Sequence, residues 1–224
     1  MADPGKRLSV VPSFWHRRGA LQGCSDVEPP PWRRYMGDMN SASLAPPLAD
    51  PDEAGLLPIL VAPHPVLRAR CRPVTHADAD QVRELVARMF GAMYRAPGIG
   101  LAAPQVGVTL RLAIVDLMPD EKRAPIVLIN PEVIAESDEL ASREEGCLSL
   151  PGQYAEVIRP ARVKVRFTDL AGARRDMEAD GLLSACLQHE IEHLDGVLFI
   201  DHLSVLKRNI LMRRLAKEQR QKGR

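Results

Sequence analysis

From Asp78 to Ala96 the apolar positions Val82, Leu85, Val86, Met89, Phe90 and Met93 recur at i, i+3, i+4, i+7, i+8 and i+11. That spacing predicts an amphipathic helix. Thr75 or Asp78 stands where a cap belongs, and Pro97-Gly98 stops the run. The period then changes. Arg111 to Asp116 (RLAIVD), Ile126 to Asn130 (IVLIN) and Val163 to Asp169 (VKVRFTD) are short, rich in β-branched residues and bounded by turn formers, which predicts strands. Gly181 to Leu194 predicts a second helix. Leu182, Leu183, Ala185, Leu187, Ile191 and Leu194 make it apolar around most of its girth, so it belongs in the interior. Leu203 to Gln219 predicts a third. Helices and strands do not alternate as βαβ units, and no long period repeats. The expected class is α+β: short mixed or antiparallel sheets packed around the second helix, with a C-terminal helix beyond.

Residues 1–55 lack any such rhythm. Pro29-Pro30-Pro31, Pro46-Pro47 and Pro51, with scattered Gly and Ser, predict a disordered N-terminal extension. Its first part is basic, but Asp3, Asp26 and Glu28 argue against an organelle transit peptide, which is acid-poor and amphipathic. A translation start at Met36 or Met39 is the plainer explanation. The organisation read from sequence is therefore an extension over 1–55, a folded catalytic domain over 56–205 and a basic helix and tail over 206–224.

Composition narrows the function. The chain has 224 residues, 46% apolar and 26% charged, ordinary for a globular protein long enough to bury a core without staples. A formal net charge of +1 argues against a wholesale nucleic-acid binder. No run of about 18 apolar residues suggests a membrane span, and the start lacks the apolar core of a secretory signal. Cys24, Cys71, Cys147 and Cys186 are not spaced as a disulfide framework, which favours reduced thiols in a cytoplasm.

The chemistry begins at HEIEH, residues 189–193. Positions i and i+4 share a helix face, so His189 and His193 can hold one cation while Glu190 reaches water beside it. The motif alone does not decide between a metal site and two core histidines. A third ligand is needed. The position that would extend the motif to a third histidine is Phe199, and the chain after His193 offers Asp201, His202 and Glu218. Cys186 lies one turn before His189, but ligands at 186, 189 and 193 span roughly 10 Å of helix axis at about 1.5 Å per residue. Metal bonds of about 2.0–2.3 Å cannot easily gather all three. Cys186 reads better as a small buried hydrophobe. Cys147, in EEGCLSLPG, is the better candidate. Cys plus a His-x-x-x-His pair leaves one position open for water.

A further stretch, GIGLAAPQVG (98–107), is neither a dinucleotide fingerprint nor a phosphate loop. Glycines around one apolar residue suit close approach of another backbone, such as a peptide pairing by strand addition. Gln105 offers an amide N–H to a developing oxyanion.

GIGLAAPQ, EGCLS and QHEIEHLDG, in that order, closely resemble the three signature motifs of the peptide deformylase family. The resemblance runs over roughly residues 57 to 205, and Leu57 to Arg68 is similar to the family's N-terminal strand. It implies Cys147, His189 and His193 as metal ligands, with Fe(II) the natural ion and zinc, nickel or cobalt as substitutes. It implies Glu190 as general acid and base, and Gln105 with the Leu148 backbone N–H as oxyanion donors. Ile99, Gly100 and Gly146 match positions whose backbone holds the substrate. Ile99, Leu182, Ala185, Cys186 and His189 fall where the methionine side chain is received. The implied reaction hydrolyses the formyl group from the N-terminal formyl-methionine of nascent chains, releasing formate. Tyr154 departs from the pattern, standing where arginine is frequent. Partners implied are formylated nascent peptides and, through Lys207, Arg208, Arg213, Arg214, Lys217, Arg220, Lys222 and Arg224, the ribosome; the expected state is a cytoplasmic monomer off the membrane. A zinc metallopeptidase and a non-catalytic nascent-chain binder are the alternatives.

Overall fold

The computed structural model describes residues 57–118 and 122–222. The extension expected over 1–55, the alternative starts at Met36 and Met39, and Cys24 lie outside the described residues. Among the described residues, seven strands and three α-helices follow in order: α1 (Ala79–Arg95), β1 (Gly100–Ala102), β2 (Leu112–Val115), β3 (Ile126–Glu136), β4 (Leu140–Cys147), β5 (Leu150–Pro160), β6 (Arg162–Thr168), β7 (Arg174–Asp180), α2 (Gly181–Leu194) and α3 (Val205–Lys222). Short 3-10 turns lie at Pro65–Arg68, His76–Asp78, Ala103–Val106 and Phe199–His202. The class is α+β, as expected.

An antiparallel sheet runs β1-β2-β3-β6-β7, and β4 pairs with β5 in a hairpin of its own. Strand β2 shows why the larger sheet is buried on both faces. Its side chains alternate in direction. Leu112 and Ile114 join Leu101 and Val127 against α1, while Ala113 and Val115 join Ala102, Ile126 and Leu128 against α2. Two helices thus sandwich one sheet, each filling its own core. Ala62, Leu67, Leu150, Val157, Phe199, Leu211 and Leu215 form a third core, which holds α3 to the β4–β5 hairpin.

Local chemistry sets the joints. Asp78 precedes α1 and is 7% exposed; its carboxylate accepts from the Thr75 backbone N–H and hydroxyl, both at 2.8 Å, and from Arg72 at 2.7 and 3.0 Å. Strand β7 runs directly into α2 through Gly181, whose φ of 57° favours a residue without Cβ. This junction delivers HEIEH into the middle of the molecule.

Several expectations change. Leu57 to Arg68 is not a ladder strand. It carries isolated bonds from Leu60 N to Gln105 O and from Ala62 N to Ser149 O, then turns at Pro65. Pro58, Pro63 and Pro65 lack the N–H that a ladder needs. Strands β4, β5 and β7 differ from the expectation because polarity does not follow their faces: β5 buries Gln153 and Arg159 and exposes Tyr154 and Ile158, β4 exposes Leu140, and in β7 only Met177 and Ala179 mark the buried face. The last helix buries only part of its apolar residues. Leu211 and Leu215 are buried, whereas Leu206 and Ile210 are exposed.

Candidate metal centre and active-site cleft

Three elements converge beside α2. The hairpin β4–β5 turns tightly at Leu148-Ser149, and a bulge between Gly146 and Cys147 redirects the cysteine. Cys147 Sγ then lies 3.2 Å from His193 Nε2. Among the described residues, Cys147, His189 and His193 form a possible metal cluster, with ligand atoms all within 4.8 Å of one another. Cys186 is not in it. That side chain is buried, its Sγ 3.8 Å from the Ile99 carbonyl. Nor are the downstream acids and histidine: Asp201 binds Arg68, His202 binds Glu192, and Glu218 accepts from Gln153.

The donor chemistry fits a divalent cation. His189 Nδ1 lies 2.9 Å from Glu145 Oε2. An ionised carboxylate can only accept, so Nδ1 carries a hydrogen and Nε2 is the nitrogen left to bind a cation once any proton on it is displaced. Burial opposes the Glu145 charge, but hydrogen bonds from His189 and Arg159 hold its carboxyl down at about 2. Burial also keeps the His193 imidazole well below its usual value, and therefore neutral. Against burial, hydrogen bonding to Cys147 and Glu145 pushes His189 well above its ordinary value, so a cation arriving there displaces a proton. Phe199 stacks on the His189 ring at 6.1 Å between centroids and walls the cluster from behind.

Glu145 is a functional residue that the sequence reading missed. It sits beneath His189 and is clamped by Arg159 at 2.5 and 3.0 Å; Arg159 in turn reaches Glu192 at 2.8 Å. The signal was present in the sequence as an acid two residues before Cys147, but its partner Arg159 is on another strand.

Glu190 is 4% exposed, and its Oε2 has no hydrogen-bond partner. Burial pushes its carboxyl up to about 7, with His189 and Arg159 opposing and Glu145 adding. A Cβ on Gly100 would lie 2.4 Å from Glu190 Oε1, so glycine there lets β1 approach the acid. Gln105 is oriented from behind. Its Oε1 accepts from Ala102 N at 2.8 Å, which turns Nε2 toward Ser149 Oγ at 3.2 Å and Cys147 Sγ at 3.5 Å.

These groups share one cleft of about 550 Å³. Ile99, Gly100, Gly146, Leu148, Leu182, Ala185 and Cys186 line it as well, so all the site residues read from sequence except His193 border this space. His193 is 1% exposed, behind Cys147. Strand β1 pairs only with β2 and β4 only with β5, so the free edges of both border the cleft. Tyr154 is 62% exposed at the rim, its ring against Gly146.

An α+β fold that gathers a cysteine, two histidines and a buried glutamate at an open cleft has the donor set of a metallohydrolase. The family model described as polypeptide deformylase matches residues 56–209. A peptide deformylase of Brucella suis biovar 1 is 51% identical over 161 residues, covering 71% of this chain and 91% of that protein. One from Bradyrhizobium sp. (strain ORS 278) is 53% identical over 170 residues, covering 74% and 97%. Among solved structures, the peptide deformylase of Legionella pneumophila superposes with a TM-score of 0.71 at 43% identity, covering 75% of this chain and 98% of that one. That of Synechococcus elongatus, in complex with actinonin, gives 0.67 at 42%, covering 70% and 86%. The chain belongs to the peptide deformylase family and is a hydrolase of that kind.

Proposed function

We propose that this cleft performs the family's reaction through Cys147, His189 and His193 as ligands of one divalent ion, Fe(II) first, with zinc, nickel or cobalt able to replace it. The formyl group is removed from the N-terminal formyl-methionine of a newly synthesised chain, and formate leaves. The observation that carries the assignment is the convergence of the Cys147, His189 and His193 ligand atoms beside Glu190 and Gln105 in one cleft. When bound, the ion supplies Lewis acidity and makes water nucleophilic near neutral pH.

The rest is the work of the protein. Glu190 lines the cleft with an Oε2 that has no hydrogen-bond partner and a carboxyl poised near neutrality, which suits taking a proton from water and giving it to the departing amine. Gln105 Nε2, fixed through Oε1, and the Leu148 N–H supply donors where negative charge develops on the formyl oxygen. The free edges of β1 and β4, at Ile99, Gly100 and Gly146, receive the extended peptide backbone. Leu182, Ala185 and Cys186 receive the methionine side chain.

The catalytic unit is assigned to residues 56–205, supported by the family match over 56–209. Residues 206–224 are assigned as a basic C-terminal helix and tail, of which α3 is described as far as Lys222. Lys207, Arg213, Arg214, Lys217 and Arg220 are exposed on α3 beside exposed Leu206 and Ile210, which suits docking to ribosomal RNA phosphates. No helix among the described residues is long and apolar enough to cross a membrane. The protein is assigned to the cytoplasm as a monomer.

Formate release from formyl-Met-Ala-Ser by anaerobically purified protein tests the function, and metal analysis of the same sample tests the ion. Turnover with Fe(II) bound is the expected result. Cleavage of an internal peptide bond without formate release would favour a metallopeptidase instead. Reversing Arg213 and Lys217 to Glu should weaken ribosome binding and flatten its salt dependence, while sparing buried Leu211 and Leu215.

A further inference from the structure

Arg143 lies in β4 on the strand face that also bears Glu145, yet its side chain is exposed. Its neighbours do not neutralise it. Glu144 points to the opposite face of the hairpin. Glu145 is already committed to Arg159 and His189. No ion pair or hydrogen bond engages the Arg143 guanidinium among the described residues. That guanidinium reaches the start of α2, with an amino group 3.7 Å from where a Cβ on Gly181 would stand. It borders the cleft together with Leu182 and Ala185. It also borders a small space between β4 and α2 with Ala185 and Glu145. An unpaired cation with several donors therefore stands at the outer end of the apolar wall assigned to the methionine side chain.

A thioether sulfur is a weak acceptor and makes little use of such a cation. A sulfoxide oxygen is a strong one. Methionine oxidation adds that oxygen at the tip of a flexible side chain and makes it polar, which an all-apolar pocket would reject. Leu182 is 50% exposed, so the wall is open to solvent at this end and leaves room for the added oxygen.

We propose that Arg143 is a specificity residue that lets the enzyme accept N-terminal formyl-methionine sulfoxide, its guanidinium donating to the sulfoxide oxygen. The enzyme would then deformylate chains whose first residue has been oxidised before processing. The proposal rests on the deformylase reading of the cleft and adds a substrate class to it.

The test compares kcat/KM of the metal-loaded full chain on formyl-Met-Ala-Ser, its separated sulfoxide diastereomers and formyl-norleucine-Ala-Ser. Wild type should process one sulfoxide diastereomer within about tenfold of the thioether. In Arg143→Leu the sulfoxide-to-thioether ratio should fall about tenfold, while the norleucine-to-thioether ratio stays constant. Arg143→Lys should keep part of the sulfoxide ratio. An unchanged sulfoxide ratio in Arg143→Leu would overturn the proposal. So would a parallel fall for norleucine, which would show a shape effect, or rejection of both diastereomers by wild type. Absence of formate from the thioether peptide in wild type would instead sink the deformylase assignment itself.

Discussion

Glu145 and His189, 44 positions apart in sequence, meet at 2.9 Å through Oε2 and Nδ1, with both side chains nearly closed to solvent. The carboxylate fixes which ring nitrogen carries the proton, and so which one can donate to a metal. Replacing Glu145 with Gln should weaken metal affinity about 10–100-fold. Competition against a chelator reads this directly. Unchanged affinity would mean that stacking on Phe199 alone orients the ring.

Gly100 and Glu190 touch closely enough that an added methyl must displace the carboxylate. Gly100→Ala is therefore expected to retain the metal but lose about 10²-fold in kcat/KM, the scale of an ångström-size misplacement of a reacting group. Retention of wild-type rates would show that Glu190 has freedom the packing does not suggest.

Glu190→Gln keeps the shape of the side chain and removes its proton chemistry. Formate release should fall about 10²–10⁴-fold with metal content preserved. Full activity in this variant would remove Glu190 from the mechanism.

Gln105 has two duties that substitution can separate. Gln105→Leu removes the donor to the oxyanion and leaves the buried Ala102 N–H unpaired. It should lose about 10²–10³-fold in kcat and about 1–3 kcal/mol of stability. Gln105→Glu retains an acceptor for Ala102 N–H, so its loss should be concentrated in kcat. Equal destabilisation of the two, measured by thermal melts, would contradict this division.

Asp78 offers a test away from the site. The Arg72 hydrogen bond, with those from Thr75, holds its carboxyl well below the usual carboxylate range in the folded state. A group with a depressed folded value binds its proton more readily when unfolded. Its stabilisation is complete above the ordinary carboxylate value, near pH 4, and is lost as pH falls toward the lower folded value. Asp78→Asn should lower the melting temperature by a few degrees at pH 7 and reduce the steepness of the acid limb. Parallel melting profiles for variant and wild type across that limb would refute the assignment.

The amino-acid order alone determined much of this protein. Apolar periodicity placed α1 within one residue at each end, marked the buried helix and located the cores of β2, β3 and β6, because these signals are carried by neighbours along the chain. The spacing of His189, Glu190 and His193 likewise follows from one helical turn. What only the tertiary structure decided are relationships between distant segments. These are the seating of Cys147 beside His193, the Glu145–Arg159 clamp beneath His189, and the approach of Gln105 Nε2 to Ser149 and Cys147. The failed strand at Leu57 to Arg68 belongs here too, since prolines deny it ladder bonds and the chain is held by isolated contacts to residues 105 and 149. Local periodicity reports which face of an element is apolar; it carries no record of which charged or polar side chains from other elements will be brought within bonding distance when those faces close.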